Sequence, residues 1–87
     1  MPAYAIPLTT LRTRIRELRQ ARGYTQEQLA HRAGLGEKYL QNLEAGRRAN
    51  PGMDVLNKIA EALEVHVLEL LYEPKEARAL LKQITDR

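Results

Sequence analysis

Two short apolar-periodic segments that meet at a glycine turn constrain this chain more than any other feature. They occupy Thr25 to Gly46, TQEQLAHRAGLGEKYLQNLEAG. Thr25 precedes the first run and Gln28 follows three residues later, the pattern of a capping box at a helix start. Leu29, Ala30 and Ala33 then share one helical face. Gly34 can adopt the positive φ that ends such a helix without a Cβ clash. A second helix is predicted from just after Gly36 to about Ala45, with Gly46 as its stop. Two helices around one Gly-containing turn form a helix-turn-helix, a shape that can present its second helix to a DNA major groove.

The rest of the chain supplies a frame for this pair. Met1 to Leu8 (MPAYAIPL) holds two prolines and no charge; it predicts an extended arm whose Tyr4, Ile6 and Leu8 cover apolar surface. Thr9 or Thr10 can cap a first helix that ends near Gly23. Leu11, Ile15 and Leu18 form its inward stripe, and Arg12, Arg14, Arg16, Arg19 and Arg22 surround the remainder. For most of these arginines the expectation is a solvated helix face. A fourth helix begins at Met53 or Asp54, with Val55, Leu56, Ile59, Ala60 and Leu63 as its core stripe. Asp54 there suits the positive end of the helix dipole. A short fifth helix follows His66, with Val67, Leu68 and Leu71 available for burial. Pro74 allows a last helix to start, and Ala77, Leu80, Leu81 and Ile84 recur on one face of it.

Within the third helix, steps of about 100° per residue from Leu40 put Leu40, Leu43 and Gly36 inward. Lys38, Gln41, Asn42 and Ala45 point outward, flanked by Glu37 and Glu44 on one side and Tyr39 on the other. That outward face is polar, rich in hydrogen-bonding groups and small at its end. The segment that follows, Gly46 to Pro51, is a basic loop.

Composition argues against catalysis. The 87 residues contain neither Cys nor Ser, so thiolate metal sites, disulfides and serine nucleophiles are excluded. None of Thr9, Thr10, Thr13, Thr25 and Thr85 lies near a histidine in sequence, and His31 and His66 lack metal-ligand spacing. Neither an enzyme nor a cofactor or metal is expected. No apolar run approaches the ~18 residues of a membrane span, and no secretory signal pattern opens the chain; a cytoplasmic protein is the expectation. Charge is unevenly shared. Residues 1–48 hold nine Lys/Arg against four Asp/Glu, and residues 49–87 five against seven. A basic half attracts polyanions, while an acidic one suits protein contact or solubility.

From Leu11 to Leu71 the sequence resembles the lambda/Cro-like (XRE-type) helix-turn-helix regulators. The residues that carry the likeness are IRELRQARGYTQEQLAHRAGL, YLQNLEAGRR, LNKIAEALEV and LELL, in family order and spacing. The resemblance implies an all-α, five-helix DNA-binding domain over residues 9–72; past Tyr72 it stops, and residues 73–87 are read as an added amphipathic C-terminal helix from their apolar period alone. It implies base reading by Glu37, Lys38, Gln41 and Asn42, and phosphate contacts from Gln26, Tyr39, Arg47 and Arg48. It also implies a partly buried Arg19–Glu44 pair that links the first helix to the third. The chain departs from the family pattern at three positions. Gly36 stands where Ser or Thr usually caps the third helix, which costs only a few tenths of a kcal/mol and leaves backbone N–H groups open to a phosphate. Glu37 puts a carboxylate where Gln or Arg is common; it can accept from a cytosine amino group or simply repel phosphates. Glu64 takes a place usually held by Gly or Asn.

The expected function is a sequence-specific transcriptional regulator, a repressor or autoregulatory controller, bound to a palindromic operator on double-stranded DNA as a homodimer. The alternative is an antitoxin-type or adaptor protein whose C-terminal helix binds a partner protein. For that helix two placements stay open. It can fold back on its own domain, or it can join Tyr72 in a two-fold interface through Ala77, Leu80, Leu81 and Ile84, with the arm at Tyr4 and Ile6; the second is preferred.

Overall fold

A computed structural model describes residues 8–47 and 51–85, with side-chain environments from Thr10 onward. Six helices follow one another: α1 (Leu8–Ala21), α2 (Gln26–Ala33), α3 (Glu37–Ala45), α4 (Met53–Leu63), α5 (Leu68–Leu71) and α6 (Pro74–Thr85). No strand occurs among the described residues. α1 starts at Leu8, so Thr9 and Thr10 lie inside the first turn and neither is its cap. The arm at Tyr4 and Ile6, and Arg48 in the basic loop, fall outside the described residues.

Local chemistry sets the helix ends. At α2 the Thr25 hydroxyl accepts from the Gln28 backbone N–H at 3.0 Å. The Gln28 side chain accepts from the Thr25 N–H at 2.9 Å, which closes the reciprocal box. Gly34 (φ 70°) ends α2, and Gly46 (φ 82°) ends α3. α4 stops instead at Glu64, the only described non-glycine residue with positive φ (59°). A side chain in that left-handed region costs about 1–2 kcal/mol.

The apolar stripes converge on one core. Ile15, Leu29, Leu40, Leu43, Ile59, Leu63 and Leu70 are fully enclosed, with Leu11, Ala30, Leu56 and Ala60 around them. α2 packs on both α3 and α4, α1 lies across α3, α4 and α5, and α6 rests on α5. Leu18, Val55, Val67 and Leu71 border the core half-buried. In α5 the anchoring side chain is Leu70, a residue that the sequence pattern did not single out. A one-turn helix is too short for periodicity to distinguish its faces.

Two further sequence expectations are corrected here. Gly36 does not face inward: it is exposed, with extended backbone (φ −71°, ψ 144°) as the N-cap of α3. A helical wheel cannot place a residue that is outside the helix. Nor is α1 lined by merely solvated arginines. Arg14 and Arg19 keep only 15% and 12% of their side chains exposed, and four of the five donate to backbone carbonyls on other segments.

Glu64 supplies the first test. Glu64→Gly should stabilise the fold by about 0.5–1 kcal/mol, because relief of the left-handed strain outweighs the extra freedom of the unfolded chain. Urea denaturation reads this directly; a midpoint that is unchanged or lower would mean that the turn carries no strain.

Candidate nucleic-acid interface

The site is a helix held by one end and open on one side. Glu44, near the end of α3, is 3% exposed, and a carboxylate out of water requires partners for both oxygens. Arg19 of α1 donates Nε to Oε2 at 2.9 Å and Nη2 to Oε1 at 3.0 Å. This bidentate fork is the strongest geometry available to such a pair. Arg19 Nη1 also donates to the Tyr24 carbonyl at 2.8 Å, so the same guanidinium ties down the turn between α1 and α2. Gln26, in the first turn of α2, donates Nε2 to Glu44 Oε1 at 3.1 Å. Arg16 donates to the Glu44 carbonyl oxygen at 3.2 Å, and its Nε lies 3.9 Å from Oε1. One carboxylate therefore binds three helices together.

Arg12 completes this row. Positions 12, 16 and 19 recur at i, i+4 and i+7, which is one face of α1. The Arg12 guanidinium lies over Gly46, where any Cβ would collide with it. Arg12 Nε is buried and has no hydrogen-bond partner among the described residues. Three cations thus gather where the last carbonyls of α3 concentrate negative partial charge. The i, i+4, i+7 spacing was the sequence signal for this role.

Away from Glu44, α3 is open. Glu37, Lys38 and Gln41 are exposed and Asn42 is half-buried. Gln41 donates Nε2 to Glu37 Oε2 at 3.2 Å, one turn back. Tyr39 is half-buried against the core. Arg47 is exposed just past Gly46, and its Nη1 donates to Asn42 Oδ1 at 3.1 Å. The structure therefore brings Glu37, Lys38, Gln41, Asn42 and Arg47 to one side of α3, and it engages Gln26 with Glu44 beneath them. Of the residues assigned to a dimer contact, Ala77 is already 2% exposed within the chain. Leu81 faces Arg14, Glu69 and Pro74 of its own subunit. Leu80 adjoins Tyr72 and Ala79, and Ile84 is 52% exposed. The described residues contain no cluster of three or more His, Cys, Asp or Glu placed to hold a metal ion, and no helix long and apolar enough to cross a membrane.

A short helix braced from behind by its neighbours, with a polar face turned outward, defines a helix-turn-helix domain. The HTH_3 helix-turn-helix family model matches residues 15–70, and the chain belongs to this Cro/C1-type (XRE) family of transcription regulators. Over 63 residues it is 36% identical to the HTH-type transcriptional regulator SinR of Bacillus subtilis, covering 72% of this chain and 57% of SinR. The chain thus spans little more than half the length of that relative. The structure of SinR in complex with DNA superposes with a TM-score of 0.66 at 33% identity, over 69% of this chain and 95% of that one. The restriction-modification controller C.AhdI of Aeromonas hydrophila gives 0.69 at 40% identity, over 72% and 94%. A hypothetical transcription factor from Neisseria, NHTF, gives 0.73 at 31% identity, over 92% and 95%.

Removal of the Glu44 carboxylate tests the brace. Glu44→Ala leaves Arg19 facing a site that no longer neutralises it, and loss of one partner of a buried pair costs about 3–5 kcal/mol. Chemical denaturation of the variant should register a loss of that order. A loss below about 1 kcal/mol would put the pair in the class of surface ion pairs.

Proposed function

We propose that this chain is a sequence-specific DNA-binding transcriptional regulator, a repressor or autoregulatory controller, that binds a palindromic operator as a homodimer. The observation that carries the reading is the polarity of α3. Its Glu44 end is locked into the domain by Arg19, Arg16 and Gln26, while Glu37, Lys38, Gln41 and Asn42 stand on the accessible side. A rigid helix with donors and acceptors along one face suits the distinct hydrogen-bond patterns that base pairs present in the major groove. Arg47 and Arg48 would follow the backbone, joined by Tyr39, the second amide hydrogen of Gln26 and the N–H groups at the uncapped start of α3. The solved complex of SinR with DNA and the controller role of C.AhdI support the same reading. A cytoplasmic setting goes with it.

Such a short helix reads only a few base pairs, and two copies held about 34 Å apart would double the site. Ile84, Leu80 and Tyr72 offer the apolar surface for a two-fold contact, and a second copy would bring the same patch. Ala77 acts from beneath, as the residue on which α6 sits against its own domain.

Two measurements test the proposal. Lys38→Ala should cost about 1–3 kcal/mol at the selected operator in fluorescence anisotropy, with relaxed preference at one or two base pairs. If the wild-type chain bound all duplexes alike, the specific-regulator reading would fail. For the dimer, Leu80→Asp combined with Ile84→Asp should yield monomers in sedimentation velocity with the helical spectrum retained. A double variant that remains dimeric would remove this face of α6 from the contact.

A further inference from the structure

The turn that ends α3 does more than stop the helix. Gly46 donates its N–H to the Leu43 carbonyl at 3.2 Å, and the Arg47 N–H returns to the Asn42 carbonyl at 2.8 Å. These are the paired bonds of a Schellman motif. They reverse the chain so that the Arg47 guanidinium comes back over the Asn42 side chain and donates to Oδ1 at 3.1 Å. Only glycine permits this turn, because φ is +82° and the Arg12 guanidinium occupies the space that a Cβ would need. Arg47 is thus tethered to Asn42 twice, through backbone and side chain.

The chemistry of that contact sets the orientation of Asn42. Arginine carries donors and no acceptor, so the end of the Asn42 amide that faces it must be the carbonyl, and Nδ2 must point away. A free asparagine can pair with both N6 and N7 of adenine, but this needs its carbonyl and its amide together. Here Arg47 occupies one of the two acceptor positions of the carbonyl and fixes the amide plane, while both Nδ2 hydrogens are left for a base edge. Donors match the keto oxygens of the major groove, O6 of guanine and O4 of thymine.

We infer that Arg47 is a specificity-determining residue as well as a backbone contact: by holding the Asn42 carbonyl it makes Asn42 a reader of a keto base rather than of adenine. Gln41 is oriented in the opposite sense by the same logic. Its Nε2 donates to Glu37, a carboxylate that can only accept, so one amide hydrogen of Gln41 is spent within α3 while its carbonyl keeps both acceptor positions.

This inference rests on the DNA-reading function proposed above, and the experiment separates the two. A randomised duplex library is selected with the wild type, Asn42→Ala, Arg47→Ala and Asn42→Asp. The base pair that Asn42 reads is the one where Asn42→Ala loses preference. Wild type should favour guanine or thymine there. Arg47→Ala should free the carbonyl and let adenine compete, so that the keto preference falls about three- to tenfold, the worth of one hydrogen bond. Its slope of log K against log salt should also become shallower by about one unit. Asn42→Asp keeps an acceptor for Arg47 but has no donor, and should abolish the keto preference. A wild-type profile with adenine at that position, or an Arg47→Ala profile that matches wild type at lower affinity, overturns the inference while DNA reading stands. A wild type that selects no sequence removes both.

Discussion

Glu44 is a charge taken out of water, and the geometry of the domain follows from what it needs. An isolated carboxylate in the interior would cost several kcal/mol. The two-pronged Arg19 contact and the Gln26 amide offset that cost by occupying both oxygens. Because these donors come from α1 and α2 and the acceptor from α3, the pairing works only when the three helices stand in one arrangement. The residues that face outward from α3 inherit that arrangement, although none of them takes part in it.

α1 has a wider role than its amphipathic stripe suggests. Its arginines end on carbonyls: Glu44 at the end of α3, Glu64 just past α4, Glu69 in α5 and Tyr24 in the turn before α2. The Glu44 and Glu69 carbonyls lie in the last turns of their helices, which leave such acceptors unsatisfied and where partial negative charge gathers. One helix therefore ties its neighbours together, with Arg14 and Arg19 mostly covered and Arg16 and Arg22 still exposed to solvent. Hydrogen bonds to neutral carbonyls leave the +3 net charge of the chain unchanged, but they fix where these arginines sit. Lys38 and Arg47 matter for their position more than for their contribution to that total.

α6 combines two attachments. It lies on α5 through Ala77, and Arg14 reaches both the Glu69 carbonyl (3.4 Å) and the Glu73 carboxylate (3.8 Å) beside its start. Leu81 also turns back toward Arg14, Glu69 and Pro74, Leu80 is half-buried beside Tyr72, and Ile84 looks outward. An i, i+3, i+4, i+7 pattern is satisfied equally by a neighbour within the chain or by a second chain. In this helix Ala77 has the first kind of cover, and Ile84 is left exposed.

The six helices, their order and most of their ends were legible from residues alone, because caps, glycine stops and apolar period are local properties. Thr25, Gln28 and Gly34 act within a few residues of themselves, and so did the pattern of Leu56, Ile59 and Leu63. The candidate reading face was legible too, since any exposed face of a helix between two buried leucines is set by the 3.6-residue turn. What only the tertiary structure decided concerns partners distant in sequence. It chose Leu70 in a helix too short for period, turned Gly36 outward at a cap, and drew the α1 arginines onto carbonyls up to 55 positions away. It also brought Arg47 back over Asn42 through the glycine turn. Sequence by itself determined the elements and the chemistry they carry; packing decided which donor meets which acceptor, because that depends on how the helices cross and not on what each one contains.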